Sequence, residues 1–98
     1  MARSYAKKPA NWKRLRQWIW VRDRGQCQVC GKRLKWEEYI CGHKVDRSMG
    51  GCYIESNLMV MCSRCDRSKP KHQTMTEFEA WRETMVILEM MRVAGLLK

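Results

Sequence analysis

Hydrophobic residues recur at helical spacing near both ends of the chain, whereas the middle consists of shorter, interrupted segments. Near the start, Trp12, Leu15 and Ile19 fall on one side of a helix. Asn11 is placed to cap this helix and Gly25 to stop it. We therefore expect a helix here whose apolar side packs inward.

The last part of the chain predicts a longer amphipathic helix that reaches about Ala94. Thr76 and Glu79 have the spacing of a capping box at its start. Apolar side chains then recur at intervals of three and four residues, namely Phe78, Trp81, Met85, Leu88 and Met91. A stripe rich in methionine is either a partner-binding surface or part of the core, and we expect core packing.

Between the two helices the pattern predicts two short strands and a loop. Glu38–Val45 is predicted as one strand and the apolar run Leu58–Met61 as a second, buried strand. The intervening Arg47–Asn57 is polar and rich in glycine, and a loop of this length is often functional. A short helix over Asp66–Lys71, limited by Pro70, completes a small α+β fold.

Length and charge narrow the class of protein. The 98 residues suffice for one small domain, and we expect a flexible basic arm over residues 1–10 and a single domain over residues 11–98. Lys and Arg number 20 against 10 Asp and Glu, a net charge of +10, so nucleic acid is the first partner to consider. The cationic side of the first helix, which either faces DNA or is solvated, carries Lys13, Arg16, Trp20 and Arg24.

Four of the six cysteines form two C-x2-C pairs, Cys27 with Cys30 and Cys62 with Cys65. Two such pairs suit a tetrahedral zinc with sulfurs about 2.3 Å from the ion, and four thiolates close the site, so the zinc is predicted to be structural. A thioredoxin-like redox pair would need a βαβ context, which neither pair has.

The other two cysteines, Cys41 and Cys52, are predicted to be small buried hydrophobes or inert thiols. The start of the chain, Met1–Lys8, is polar and basic and lacks the apolar stretch of a signal peptide. We therefore expect reduced thiols in the cytoplasm rather than a secreted disulfide scaffold. No apolar run approaches the roughly 18 residues of a membrane span, so we expect no membrane partner.

Several motifs in fixed order surround the cysteine pairs. Arg22–Gly31 reads R-D-x-G-x-C-x-x-C-G, His43–Gly51 reads H-x-x-x-x-S-x-G-G, and N-L at Asn57 precedes the second pair. Over roughly Arg22–Lys69 the sequence resembles the HNH endonucleases, in the branch whose ββα-metal motif is braced by a four-cysteine zinc. The resemblance implies this motif as the centre of the fold, with helices flanking it on both sides.

The resemblance implies a role for three residues. His43 matches the family's first histidine, the general base that takes a proton from the attacking water. Asn57 matches the middle asparagine, which pins the long loop and so orients the histidine. Asp66 stands where the family has its last histidine or asparagine, a ligand of the catalytic divalent ion. That ion is Mg²⁺ or Mn²⁺, with Ni²⁺ or Zn²⁺ as further alternatives, and it polarises the scissile phosphate.

The residue before the first histidine departs from the family pattern. Many members carry Asp or His there as a second metal ligand, whereas Gly42 has no side chain. Either Asp46 or Glu38 supplies the missing oxygen, or water completes the metal shell, as Mg²⁺ often permits. A further alternative is that the chain has become a binding module without catalysis.

Basic residues surround the proposed site, as a phosphodiester substrate requires. The candidate nucleic-acid contacts are Lys44, Arg47, Arg64, Arg67 and Lys69. The sequence thus predicts a metal-dependent endonuclease that nicks or cuts double-stranded DNA by hydrolysis, and the alternative is a non-catalytic zinc-knuckle module that binds DNA or RNA. A third hypothesis, compatible with either, is a subunit of a larger assembly that docks through the last helix. The resemblance further implies a phage or mobile-element protein in a bacterial or phage-infected cell.

Overall fold

The computed structural model describes residues 8–96. Its helices and strands follow in the order α1 (Trp12–Arg22), β1 (Ile40–His43), β2 (Leu58–Met61), α2 (Ser63–Ser68) and α3 (Met75–Val93). Single turns of 3₁₀ helix lie at Trp36–Glu38, Arg47–Met49 and Glu55–Asn57. The predicted α+β class is confirmed, with a two-stranded antiparallel sheet followed by a helix at its centre. Most of the expected basic arm, residues 1–7, lies outside the described residues.

The two strands pair so that His43 lies opposite Leu58, at the end of the ladder. β1 is shorter than the predicted strand Glu38–Val45. The first residue of the predicted strand, Glu38, belongs to a 3₁₀ turn instead. Val45, its last residue, leaves the sheet because the Asn57 side chain hydrogen-bonds both its N–H and its carbonyl. β1 therefore ends where the hydrogen-bond partner of its backbone changes from β2 to the side chain of Asn57.

Alternate residues of β2 enter two apolar clusters, one on each face of the sheet. On one face Met61 packs with Phe78 of α3 and with the cysteines. On the other face Val60 packs with Ile19 of α1. The predicted inward side of α1 is confirmed, because its other two apolar residues pack against this second cluster.

The sequence left open whether the cationic side of α1 faces DNA or is solvated, and in the structure half of its residues make internal contacts instead. Trp20 packs edge-to-face on Trp36, with ring centroids 5.6 Å apart, and also against Tyr39. The guanidinium of Arg16 lies 4.6 Å from the ring centroid of Trp36 and 4.1 Å from that of Tyr39, and it donates to the Tyr39 carbonyl. Trp20 and Arg16 are thus committed to internal contacts, whereas the other two residues of this side are exposed.

The N-cap of α3 is Thr74, two residues before the Thr76 of the predicted capping box Thr76 and Glu79. Thr74 Oγ1 accepts a hydrogen bond from the Glu77 backbone N–H at 3.1 Å, and Glu77 Oε1 accepts one from the Gln73 N–H at 2.7 Å. The prediction was wrong because both threonines are followed by a glutamate three residues later, and spacing alone does not separate them.

The first half of α3 packs on the body of the protein as predicted. Phe78 is buried, and Trp81 and Met85 pack against the same cluster. Core packing does not extend along the whole helix, because Leu88 is 40% exposed and Met90 is 65% exposed. Among residues 8–96, no helix combines the length and apolar character needed to cross a membrane.

Candidate active site and zinc site

Four cysteines from two knuckles converge between the sheet, α2 and α3. The Sγ atoms of Cys27, Cys30, Cys62 and Cys65 all lie within 4.8 Å of one another. Four thiol ligands at this spacing fit a tetrahedral zinc, so the cluster indicates a structural zinc site. Across residues 8–96, no other set of three or more His, Cys, Asp or Glu side chains converges as closely.

The second knuckle also begins α2, which starts at Ser63 rather than at the predicted Asp66. Cys62 Sγ accepts a hydrogen bond from the Cys65 backbone N–H at 3.4 Å and so caps the helix. The helix ends two residues before Pro70. Asp66 therefore lies in the first turn, directly after a zinc ligand, so that the zinc site fixes the position from which its carboxylate projects.

The remaining two cysteines stand outside the sulfur cluster. Cys41 is half-buried beside α1, and burial raises the pKa of its thiol, which keeps it protonated and unreactive. Cys52 lies in the long loop, where its backbone carbonyl accepts from Asn57. Both cysteines, predicted to be small buried hydrophobes or inert thiols, are partly buried.

An arginine and aspartate pair ties α1 to the second strand. Arg22 Nε donates to Asp23 Oδ1 at 2.8 Å, and Asp23 Oδ2 accepts from the Val60 N–H at 2.9 Å. Arg22 also donates to the backbone carbonyls of Glu55 and Leu58. The hydrogen bond to the buried Asp23 raises the pKa of Arg22. The R-D of the sequence motif thus has a structural function at the end of the long loop.

Asn57 holds the two ends of the long loop together. Its Oδ1 accepts from the Val45 N–H at 2.8 Å, and its Nδ2 donates to the carbonyls of Val45 at 3.1 Å and Cys52 at 3.0 Å. Gly51 allows the chains to come this close, because a Cβ there would lie 1.8 Å from the Val45 carbonyl oxygen. The loop that follows His43 is therefore fixed by side-chain hydrogen bonds at Asn57 and by close packing at Gly51.

His43 ends β1 and packs edge-to-face on Tyr53, with ring centroids 4.6 Å apart. Its Nε2 is buried and has no hydrogen-bond partner among the described residues. Burial lowers the pKa of His43 below its ordinary value of 6.5, and the nearby Arg47 lowers it further. The imidazole is thus largely neutral at pH 7, the form that accepts a proton.

His43 opens onto a cleft of about 300 Å³. Two carboxylates and two cations line it, namely Asp46, Asp66, Arg47 and Lys69. Burial lowers the pKa of Lys69, whereas the two nearby carboxylates raise it. Hydrogen bonds from Ser48 lower the pKa of Asp46 and keep it ionised. The cleft thus combines a neutral base, hard oxygen donors and positive charge.

Only two of the five predicted nucleic-acid contacts, Arg47 and Lys69, line this cleft. Lys44 is not part of the cleft lining, and burial and the charges of Arg22 and Arg82 lower its pKa. Arg64 lies beside the zinc cluster, 3.8 Å from a Glu89 carboxylate oxygen. Arg67 is exposed on α2 outside the cleft lining.

Sequence reasoning missed Tyr53, which connects α1 to His43. Tyr53 is 6% exposed, and its ring packs edge-to-face on Trp12, with centroids 5.2 Å apart, as well as on His43. The Arg47 guanidinium lies 5.0 Å from the same ring centroid. The available signal was an aromatic residue within an otherwise polar loop, which does not identify its partners.

The fold and the two sites define a zinc-braced ββα domain. The model of the HNH endonuclease family matches residues 27–72, so this part of the chain is an HNH domain and the predicted family is confirmed. The match includes both cysteine pairs, the cleft and His43, which indicates a nuclease or nucleic-acid-binding function. Neither the comparison with curated proteins nor that with solved structures gave a match.

Proposed function

We propose that this protein is a metal-dependent endonuclease that hydrolyses phosphodiester bonds in DNA. The observation that carries the proposal is the single cleft in which His43, Asp66 and two cations meet, within a segment that matches the HNH endonucleases. The net charge of +10 supports a polyanionic substrate. The thiols needed for zinc binding favour a reducing compartment such as the cytoplasm of a bacterial or phage-infected cell.

In the proposed mechanism His43 is the general base. The lowered pKa leaves its imidazole free to take a proton from a water molecule at neutral pH. Edge-to-face packing on Tyr53 fixes the plane of the ring, and Asn57 fixes the loop that carries Tyr53 and Arg47. Asn57 is thus a positioning residue in this scheme.

The other residues of the cleft bind the substrate and the divalent ion. Arg47 and Lys69, which line the cleft, neutralise the phosphate charge of the substrate. The Asp66 carboxylate is a hard donor that suits Mg²⁺ or Mn²⁺, and an exposed position in the first turn of α2 lets it reach the cleft. A divalent ion held there supplies charge stabilisation for the phosphate and the leaving oxygen.

A supercoiled-plasmid assay with zinc-loaded protein tests this proposal. We expect nicking or linearisation with added Mg²⁺, Mn²⁺ or Ni²⁺, none in a mild chelator that leaves the zinc bound, and none with His43→Ala. The Arg33→Ala variant, which removes an exposed cation outside the cleft and outside the predicted nucleic-acid contacts, is the matched control and should retain cleavage. His43→Ala should still retard DNA in a gel.

The second candidate function is a non-catalytic module that binds nucleic acid. It is favoured by one observation, that the ligand atoms of His43, Asp46 and Asp66 do not converge as the four sulfurs do. Folded, zinc-loaded protein that retards DNA yet cleaves none with any of the metals would contradict the endonuclease and support the module.

A further inference from the structure

The side-chain position before His43 is filled by another residue. Gly42 is buried in β1, and a Cβ built on it would lie 2.3 Å from Met61 Sδ and 3.0 Å from Met61 Cγ. Met61 is fully buried among the zinc-side cluster, so its thioether cannot swing into solvent. A side chain at position 42 would therefore require the buried side chain of Met61 to move.

Of the two acidic residues that the sequence offered as substitutes, only Asp46 reaches the cleft. Glu38 lies before β1, where its Oε1 accepts a hydrogen bond from the Lys35 backbone N–H at 3.0 Å, and it is not part of the cleft lining. Asp46 lines the same cleft as His43 and Asp66.

The carboxylate of Asp46 is held in one orientation. Its Oδ1 accepts from both the N–H and the hydroxyl of Ser48, at 2.9 and 2.7 Å, whereas its Oδ2 takes part in no hydrogen bond among the described residues. The backbone is fixed too, because the Asp46 N–H donates to the His72 carbonyl and the Asp46 carbonyl accepts from Gly51. One oxygen is thus anchored and the other is available to a cation.

We propose that Asp46 is the second protein ligand of the divalent ion, in place of residue 42, where the Met61 side chain fills the space of a Cβ. The proposal rests on the proposed function, since it concerns the same cleft. A site built on two carboxylates, with water completing the shell, suits Mg²⁺ and Mn²⁺.

The test is Mn²⁺ binding to zinc-loaded protein, followed by the electron paramagnetic resonance signal of the free ion. We expect Asp46→Asn and Asp66→Asn each to weaken Mn²⁺ binding by about tenfold to a hundredfold. The amide of Asp46→Asn still accepts from Ser48, so the loop should stay folded. Glu38→Gln is the matched control and should bind Mn²⁺ like the unaltered protein.

Mn²⁺ affinity that is unchanged in Asp46→Asn but lost in Asp66→Asn would overturn the proposal. Plasmid cleavage by the unaltered protein is measured in parallel and separates the two hypotheses. If the protein cleaves DNA but its Mn²⁺ affinity does not depend on Asp46, only this inference is refuted. If Mn²⁺ binding depends on Asp46 but no DNA is cleaved, only the proposed endonuclease activity is refuted. Absence of Mn²⁺ binding refutes the inference outright.

Thermal unfolding tests whether the Met61 side chain fills the space beside Gly42. Gly42→Ala should lower the melting temperature strongly in the unaltered protein and much less in a Met61→Ala background, because the truncated side chain leaves room for the new Cβ. An equal loss in both backgrounds would show that Met61 does not occupy this space.

Discussion

The strongest structural prediction concerns Asn57, which is 5% exposed and joins the two ends of the long loop. Asn57→Ala removes three hydrogen bonds to the backbone of Val45 and Cys52. At about 1 kcal/mol net for each bond, the free energy of unfolding should fall by about 3 kcal/mol. For a domain of this size that loss corresponds to a decrease in melting temperature of roughly 12–24 °C.

The measurement is equilibrium unfolding of zinc-loaded protein in urea, followed by circular dichroism. Asn11→Ala is the matched control, because Asn11 is exposed and its side chain makes no capping hydrogen bond. Its effect should stay within about 0.5 kcal/mol. A loss below about 1 kcal/mol for Asn57→Ala would refute the view that these bonds hold the loop.

The pH dependence of the stability of an Asn57→Asp variant provides a second test of these hydrogen bonds. In Asn57→Asp the new carboxylate oxygen would face the two carbonyls that Nδ2 now donates to. Only the protonated acid could donate there, so the pKa of the introduced group should be higher in the folded than in the unfolded state. The destabilisation should therefore grow as the pH rises from 4 to 7. A destabilisation independent of pH would contradict this account.

Three further predictions follow from the site. Gly51→Ala should lower the free energy of unfolding, measured in urea, by about 3 kcal/mol or more, because the new Cβ would lie 1.8 Å from a backbone carbonyl oxygen. Gly50→Ala should lower it by only about 1–2 kcal/mol, because the space around Gly50 is open and only its positive φ is unfavourable for alanine. Removal of zinc by a strong chelator should unfold the protein, because structural zinc contributes about 10–16 kcal/mol whereas a folded domain is stable by only about 5–15 kcal/mol. A helical circular dichroism signal that persists after zinc removal would contradict this prediction. The acid limb of kcat/KM against pH should lie below 6.5, since burial and Arg47 lower the pKa of His43, and Arg47→Ala should move it to higher pH; an unmoved limb would exclude that contribution.

The pattern of the sequence predicts those features whose determinants lie close together along the chain. Two C-x2-C pairs indicate the zinc site because each pair delivers two sulfurs from one tight turn. The apolar positions of α1 and the first half of α3 follow from helical period alone. The order and spacing of the two cysteine pairs and of the motifs around them sufficed to identify the HNH segment.

The tertiary structure decided which distant residues become partners. Helical periodicity assigned Arg16 to a cationic surface, yet it stacks on Tyr39, 23 residues away, because the segment before β1 folds across α1. Arg64 and Arg47 look equivalent in sequence, but one lies beside the zinc cluster and the other in the cleft. Likewise Gly42 is only a missing ligand in the sequence. In the folded hairpin the side chain of Met61, which is diagonal to Gly42 in the ladder, occupies the space that a Cβ there would need, and Asp46 and Asp66 are the carboxylates that line the cleft.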